Sequence, residues 1–209
     1  MSNCRSRFLR VVIPVLLFLS IAPVSSSTYS TCSVRQFKNS GFLTSIEPGT
    51  DITFIDAKSF EIRSGKVLFF AGKTSSSVLT NLARIAVPAS SVCIVELKAE
   101  VLRIVNLSGA ELKVTLIEVL SVSESLTLSD GMELLVCPLN FSEEELTPVD
   151  GIERVKQSDR RILDSRVVVN KIDLLAAVQK ERLLSCSKFY RLAKRRILKL
   201  TSEISAKTK

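Results

Sequence analysis

The chain contains no histidine and no tryptophan in 209 residues. Without imidazole, Ser-His-Asp and Cys-His catalytic sets cannot form. Glycine and proline are scarce, at seven and six residues, and 46% of the chain is apolar, which excludes a low-complexity or disordered polypeptide. Neither GxxxxGK[ST] nor GxGxxG occurs, so the usual glycine-rich phosphate cradles are missing. The five cysteines form no CxxC, and a structural zinc site would have to gather thiolates from scattered positions. The acids of "SEEEL" (142–146) are adjacent instead of convergent, which fits the solvated start of a helix better than a metal or acid/base site. The expectation is a non-enzyme with no cofactor, no metal and no catalytic residues.

What is present begins with charge. The formal net charge is +8, and its location decides its meaning. Arg5, Arg7 and Arg10 supply +3, and ten Lys/Arg from Lys180 onward, against Glu181 and Glu203, supply +8. Residues 11–179 therefore net −3. The body is mildly acidic and the basic character belongs to the ends.

The N-terminal end reads as an address. The basic "CRSRFLR" precedes the apolar "VVIPVLLFLSIA" (11–22), and Val24 and Ser26 suit the small-residue positions before a cut near Ser26-Ser27. The apolar run is shorter than the roughly 20 residues a spanning helix needs, and Pro14 interrupts it. Residues 1–26 are thus expected to be a signal peptide, with an uncleaved anchor as the alternative, and the protein to be periplasmic or secreted. Export places Cys32, Cys93, Cys137 and Cys186 in an oxidising compartment. Cys93 in "SVCIVEL" and Cys137 in "ELLVCPL" lie in similar apolar runs, which makes them the candidate disulfide; two buried free thiols are the competing reading.

Two structural regimes follow. Residues 27–41 are Ser/Thr-rich and expected to be a flexible lead-in. Between 42 and 140, Val, Ile, Phe and Thr alternate with polar residues in "DITFI", "FEIRS", "KVLFF", "VLRIV" and "ELLVC". Breaks at Pro48-Gly49, Ser64-Gly65, Ser108-Gly109 and Asp130-Gly131 supply turn chemistry. The spacing predicts a β-rich unit, sandwich or solenoid-like. After Pro138, an apolar stripe running Ile172, Ala176, Gln179, Leu183, Cys186, Tyr190, Ala193, Ile197, Leu200 and Ile204 predicts helix over 143–205. The fold class expected is α+β with segregated elements. Asn106-Leu-Ser and Asn140-Phe-Ser match glycosylation sequons at a frequency chance supplies.

Four segments in order, "FEIRSGKVLFFAGK", "IAVPASSVCIVEL", "LRIVNLSGAELKV" and "LTLSDGMELLV", resemble the FecR domain, the extracytoplasmic module of iron-transport regulators that also occurs in other exported bacterial proteins. The resemblance covers about residues 50–137. It implies a β-rich fold, export and a non-enzymatic role. Only ten residues precede the apolar run and a basic stretch replaces the family's C-terminal signalling extension, so control of a sigma factor is not implied.

The functional expectation is an exported binding or scaffolding protein that contacts a partner protein or a cell-envelope component. The alternative is a membrane-anchored sensor-regulator. The C-terminal "KFYRLAKRRILKL" carries Lys188, Arg191, Lys194, Arg195, Arg196 and Lys199, the candidate contacts for an anionic membrane surface or a partner chain. Export counts against nucleic acid as the target.

Overall fold

A computed structural model describes residues 28–30, 35–38, 42–117, 124–141, 151–162, 164–181 and 183. It is a β-rich α+β domain, its sheet curled into a half-barrel with a helix near the C-terminal end. Short strands come first: β1 (Thr28–Ser30), β2 (Arg35–Lys38), β3 (Phe42–Ile46) and β4 (Asp51–Phe54). They lead into the long β5 (Ser59–Ala71), followed by β6 (Ser76–Leu79), β7 (Ala83–Val87), β8 (Val92–Lys98) and β9 (Val101–Ser108). The set continues with β10 (Leu112–Leu116), β11 (Ser125–Leu128), β12 (Met132–Pro138), β13 (Arg154–Ile162) and β14 (Ser165–Ile172), then the helix α1 (Leu174–Lys180).

The central path runs β11-β10-β7-β6-β5-β8-β9-β12-β14-β13, and every pairing in it is antiparallel except β5 with β6. β5 makes the curl. Its first half pairs with β4 and β6, its second with β3 and β8, so one strand serves two layers. The corner is at Gly65, with φ +97, next to a register shift in the β4 pairing. A Cβ at Gly65 would sit 2.5 Å from the Thr50 Cα, so only glycine fits where the strand bends. The Ser64-Gly65 break expected as a turn between two strands is thus a kink within one.

Alternation then builds the core. From the smaller layer, Ile52, Phe60, Ile62, Val78, Ile85 and Val114 point inward; from the larger, Phe69, Cys93, Val95, Ile104, Leu134 and Val167 meet them. Phe69 lies with its ring 5.2 Å from Phe42 and 5.3 Å from Phe60, inside the range of favourable aromatic pairs. The buried Asn106 donates to the carbonyls of Ala110 (3.2 Å) and Leu128 (2.9 Å), so this sequon asparagine is a structural residue.

The larger layer is buried on its other face too. α1 lays Leu174, Ala177 and Val178 on Leu68, Phe70, Ile94, Val105 and Leu107. Asp173 caps it, accepting from the amides of Leu175 (2.8 Å) and Ala176 (3.1 Å). Glu181 ends it in an extended conformation and pairs with Lys66 of β5 at 2.7 Å, fixing where the chain leaves the sheet.

Three expected boundaries are corrected. Residues 28–30 and 35–38, placed in the flexible lead-in, pair with β4 and β3. The strand region does not stop at 140, because 154–162 and 165–172, read as helix, form the β13–β14 hairpin. Ile172, the first position of the expected helical stripe, is the last residue of β14, and the stripe is broken again at the extended Glu181. Leu183 is buried in the cluster beneath α1, and the stripe from Cys186 onward lies outside the described residues.

Candidate functional site

The outward face of the larger layer carries an unexpected group. In β12 the residues Leu134 and Val136 point into the core, so Glu133, Leu135 and Cys137 point away from it. Glu133 is nonetheless 0% exposed. A buried carboxylate persists only when paired and hydrogen-bonded, and three neighbouring strands provide the partners. Arg103 on β9 donates through Nε to Oε1 at 2.6 Å, and Arg154 at the start of β13 donates through Nε to Oε2 at 2.7 Å. Asn170 on β14, directly across from Glu133 in the register, donates Nδ2 to Oε2 at 3.1 Å. Arg103 reaches Glu96 on β8 as well, at 3.4 Å.

Burial alone pushes the Glu133 carboxyl up, but the guanidinium of Arg154 and the charge of Arg103 outweigh it and hold the group below its ordinary range. A carboxylate so engaged on both oxygens is a weak proton acceptor. Its effect is mechanical: it fastens the first residue of β13 and the middle of β14 to the sheet.

The hairpin so fastened is the most basic part of the body. Arg154, Lys156, Arg160, Arg161, Arg166 and Lys171 face only Asp159 and Asp164 within 154–171, a formal +4. The remainder of 11–179 therefore carries −7. Asp159 sits against Arg166 (2.5 Å and 2.9 Å) and Lys156 (3.2 Å), and these cations hold its carboxyl at about 2. Arg160 meets Glu124, beside β11, at 3.7 Å, the one described ion pair that links the two ends of the sheet path. Arg160, Arg161 and Lys156 are all exposed, with Arg161 at 69% of its side chain.

At the end of the hairpin the β6–β7, β8–β9 and β13–β14 turns surround a hollow of about 200 Å³ lined by Asn81, Glu100, Cys137 and Asp164 among others. Ala99 and Glu100, the two residues of the β8–β9 turn, both have positive φ (47 and 66), as a tight turn between antiparallel strands requires.

The expected site residues fall as follows. Cys93 points into the main core and Cys137 into a small outward cluster with Leu135 and Val168. Both thiols are free. Of the two readings, the candidate disulfide is not made and the buried free thiols are what the structure holds, because strand alternation puts the two cysteines on opposite faces of the layer, with β9 between their strands. Burial raises both thiols, Cys93 to about 12. The basic set Lys188, Arg191, Lys194, Arg195, Arg196 and Lys199 lies outside the described residues, as do the acids of 142–146. Among the described residues, no cluster of three or more His, Cys, Asp or Glu is arranged to hold a metal ion. Glu133, Arg103, Arg154 and Asn170 were not anticipated. Their signal was a single charge in each of two otherwise apolar runs, Glu133 in "MELLVCP" and Arg103 in "VLRIVNL". No protein-family model matches the chain, and no curated protein matches it.

Proposed function

We propose that this chain is an exported, non-catalytic binding protein with a FecR-like β domain, and that it contacts a partner protein or a component of the cell envelope. One observation carries the binding reading: a hairpin of formal +4, fastened to the sheet by the Glu133 clamp and exposing Lys156, Arg160 and Arg161, on a body that otherwise carries −7. A charge inversion of that kind steers partners of opposite sign toward one surface. The buried carboxylate beneath it is consumed in holding the hairpin, so chemistry is not where this arrangement leads. Export rests on Arg5, Arg7 and Arg10 ahead of the apolar 11–22 run and on the small residues before Ser27. Among the described residues, no helix is long and apolar enough to cross a membrane.

The test is expression of the full chain in a Gram-negative host, with fractionation, intact mass and lysine-directed cross-linking. The expected result is a product that begins near Ser27, outside the cytoplasm, and cross-links through the β13–β14 hairpin. A cytoplasmic product that retains Met1, or cross-links that avoid the hairpin, would overturn the reading.

A further inference from the structure

The partner's chemistry can be narrowed further, on the premise that the hairpin is the binding surface. β13 ends the sheet path: among the described residues it pairs only with β14. Edge strands present a row of main-chain donors and acceptors, and proteins commonly shorten or cover them. β13 is nine residues long. Its register shift falls between Lys156 and Ser158, which leaves Ser158–Ile162 as an unbroken run.

The register also fixes which way each basic residue points. Lys156 is opposite Asn170 and Arg161 opposite Arg166, on the outward face with Glu133. Arg160 is opposite Val167, and Val155 is opposite Lys171, on the inward face. Exposed basic side chains therefore flank the edge on both faces, in surface ion pairs of Lys156 with Asp159, Arg161 with Asp164 and Arg160 with Glu124 that an incoming carboxylate would exchange. A lipid surface or a flat polymer meets one face of a strand. An added strand meets both, since its own side chains alternate above and below. A second copy of β13 is a poor occupant: the strand carries four basic residues against one acid, and like charges placed across a pair destabilise it.

We infer that β13 accepts an acidic, extended segment of a partner protein as an additional strand, with main-chain pairing along Ser158–Ile162 and carboxylates alternating onto Arg160 and Arg161. Main-chain bonds supply affinity in this mode and the alternate side chains supply selectivity. The competing account is that the charges only protect an edge from aggregation.

The experiment uses the purified full chain and a fluorescent ten-residue peptide alternating Glu and Val, with a version carrying Pro at alternate positions as its control. Anisotropy at low and high salt reads binding, and hydrogen exchange reads the β13 amides. The expected result is salt-sensitive binding, slowed exchange at 158–162, and loss of binding with the Pro peptide. The double variant R160E/R161E should weaken binding about tenfold or more, two reversed cross-strand pairs amounting to at least about 1.4 kcal/mol. K113E, a reversal on the exposed side of β10, should leave it unchanged. The Pro control tests the pairing without touching the protein's fold. Equal binding of both peptides, equal weakening by K113E, or unchanged exchange in β13 would overturn the inference. So would an R160E/R161E chain that aggregates while the original binds no peptide, which would establish the protective role. Export together with absent peptide binding sinks this inference alone; peptide binding by a cytoplasmic chain sinks the envelope reading alone.

Discussion

The hairpins β8–β9 and β13–β14 belong to the same layer and are held by different forces. In β8–β9, Val92, Cys93, Ile94, Val95, Leu97, Leu102, Ile104, Val105 and Leu107 are all buried, because one face meets the core and the other meets α1. Burying each such side chain stabilises by about 1.5–3 kcal/mol, so this hairpin is held by area. In β13 only Ile162 is fully covered, and six of the nine residues are exposed. That strand is held by its ladder to β14 and by the clamp of Arg154 on Glu133. The lesson concerns distribution: a hairpin held by area loses a fraction of its stability at any one position, whereas an edge strand with little buried area depends on its ladder and its clamp.

The largest effect should come from breaking the clamp. Glu133→Ala leaves two guanidinium groups without their shared carboxylate in a buried setting, and removing one partner of such a set costs about 3–5 kcal/mol. Urea unfolding should record the loss, and hydrogen exchange should show β13 and β14 opening before β8 and β9. Uniform opening would break the comparison. Ile104→Ala on β9 should cost about 2–5 kcal/mol, by lost transfer and by the cavity left behind, without preferential opening of β13. Val155→Ala, at 53% exposed, should stay within about 0.5 kcal/mol.

Acid sharpens the same contrast. Glu133 is held below its ordinary 4.5, and Asp159 at about 2 against 3.8. Each folded value is depressed, so each group contributes stability that is present above its unfolded value and lost as pH falls through its folded value. The window lies between about 4.5 and about 2. Urea midpoints measured down this range should fall, and Glu133→Gln should flatten the upper part of the decline. Because Asp159 and its partners are at the surface, Asp159→Asn should flatten only the lower part, and by less. An unchanged slope in both variants would show that other carboxylates govern acid unfolding.

How much of this was legible follows from where each strand lies. "FEIR", "KVLFF" and "ARIAV" alternate because one face of each is buried, and alternation is readable without knowing the partners. "RVKQSDRRI" does not alternate: it lies at an edge, and its register slips between Lys156 and Ser158. With Ile152, Val155 and Ile162 as its apolar marks, a spacing of three and seven imitates a helix. The run Val167-Val168-Val169 was the better signal, since β-branched residues in series favour a strand. The Glu133 cluster joins residues up to 58 positions apart, Glu96 to Arg154. No local pattern can announce pairs of that separation; an isolated acid in an apolar run says only that it must be paired somewhere.

A similarly small effect is expected for the ion pair between the two ends of the sheet path. Arg160 and Glu124 stand 3.7 Å apart with side chains 49% and 41% exposed, and such pairs contribute about 0–1 kcal/mol. Arg160→Ala should therefore leave the urea midpoint nearly unchanged while altering whatever binds the hairpin, which separates the edge's role in binding from any role in folding.

The final prediction shifts no stability and tests the face assignment directly. Cys93 and Cys137 sit on opposite faces of one layer, Cys93 in the core and Cys137 donating to the Arg166 carbonyl at 3.5 Å. Bridging them would require the sheet itself to be crossed, and a disulfide tolerates Cα atoms only within about 7 Å. Burial also suppresses the thiolate of Cys93, whose value is pushed up to about 12, so the native protein should alkylate there very slowly at neutral pH. Denaturation without reductant should release both thiols together, and peptide mapping should find Cys93 and Cys137 fully alkylated. A disulfide-linked pair of these two peptides would place both cysteines on one face. The alternation of β12 would then be inverted, and Glu133 would turn from the clamp into the core.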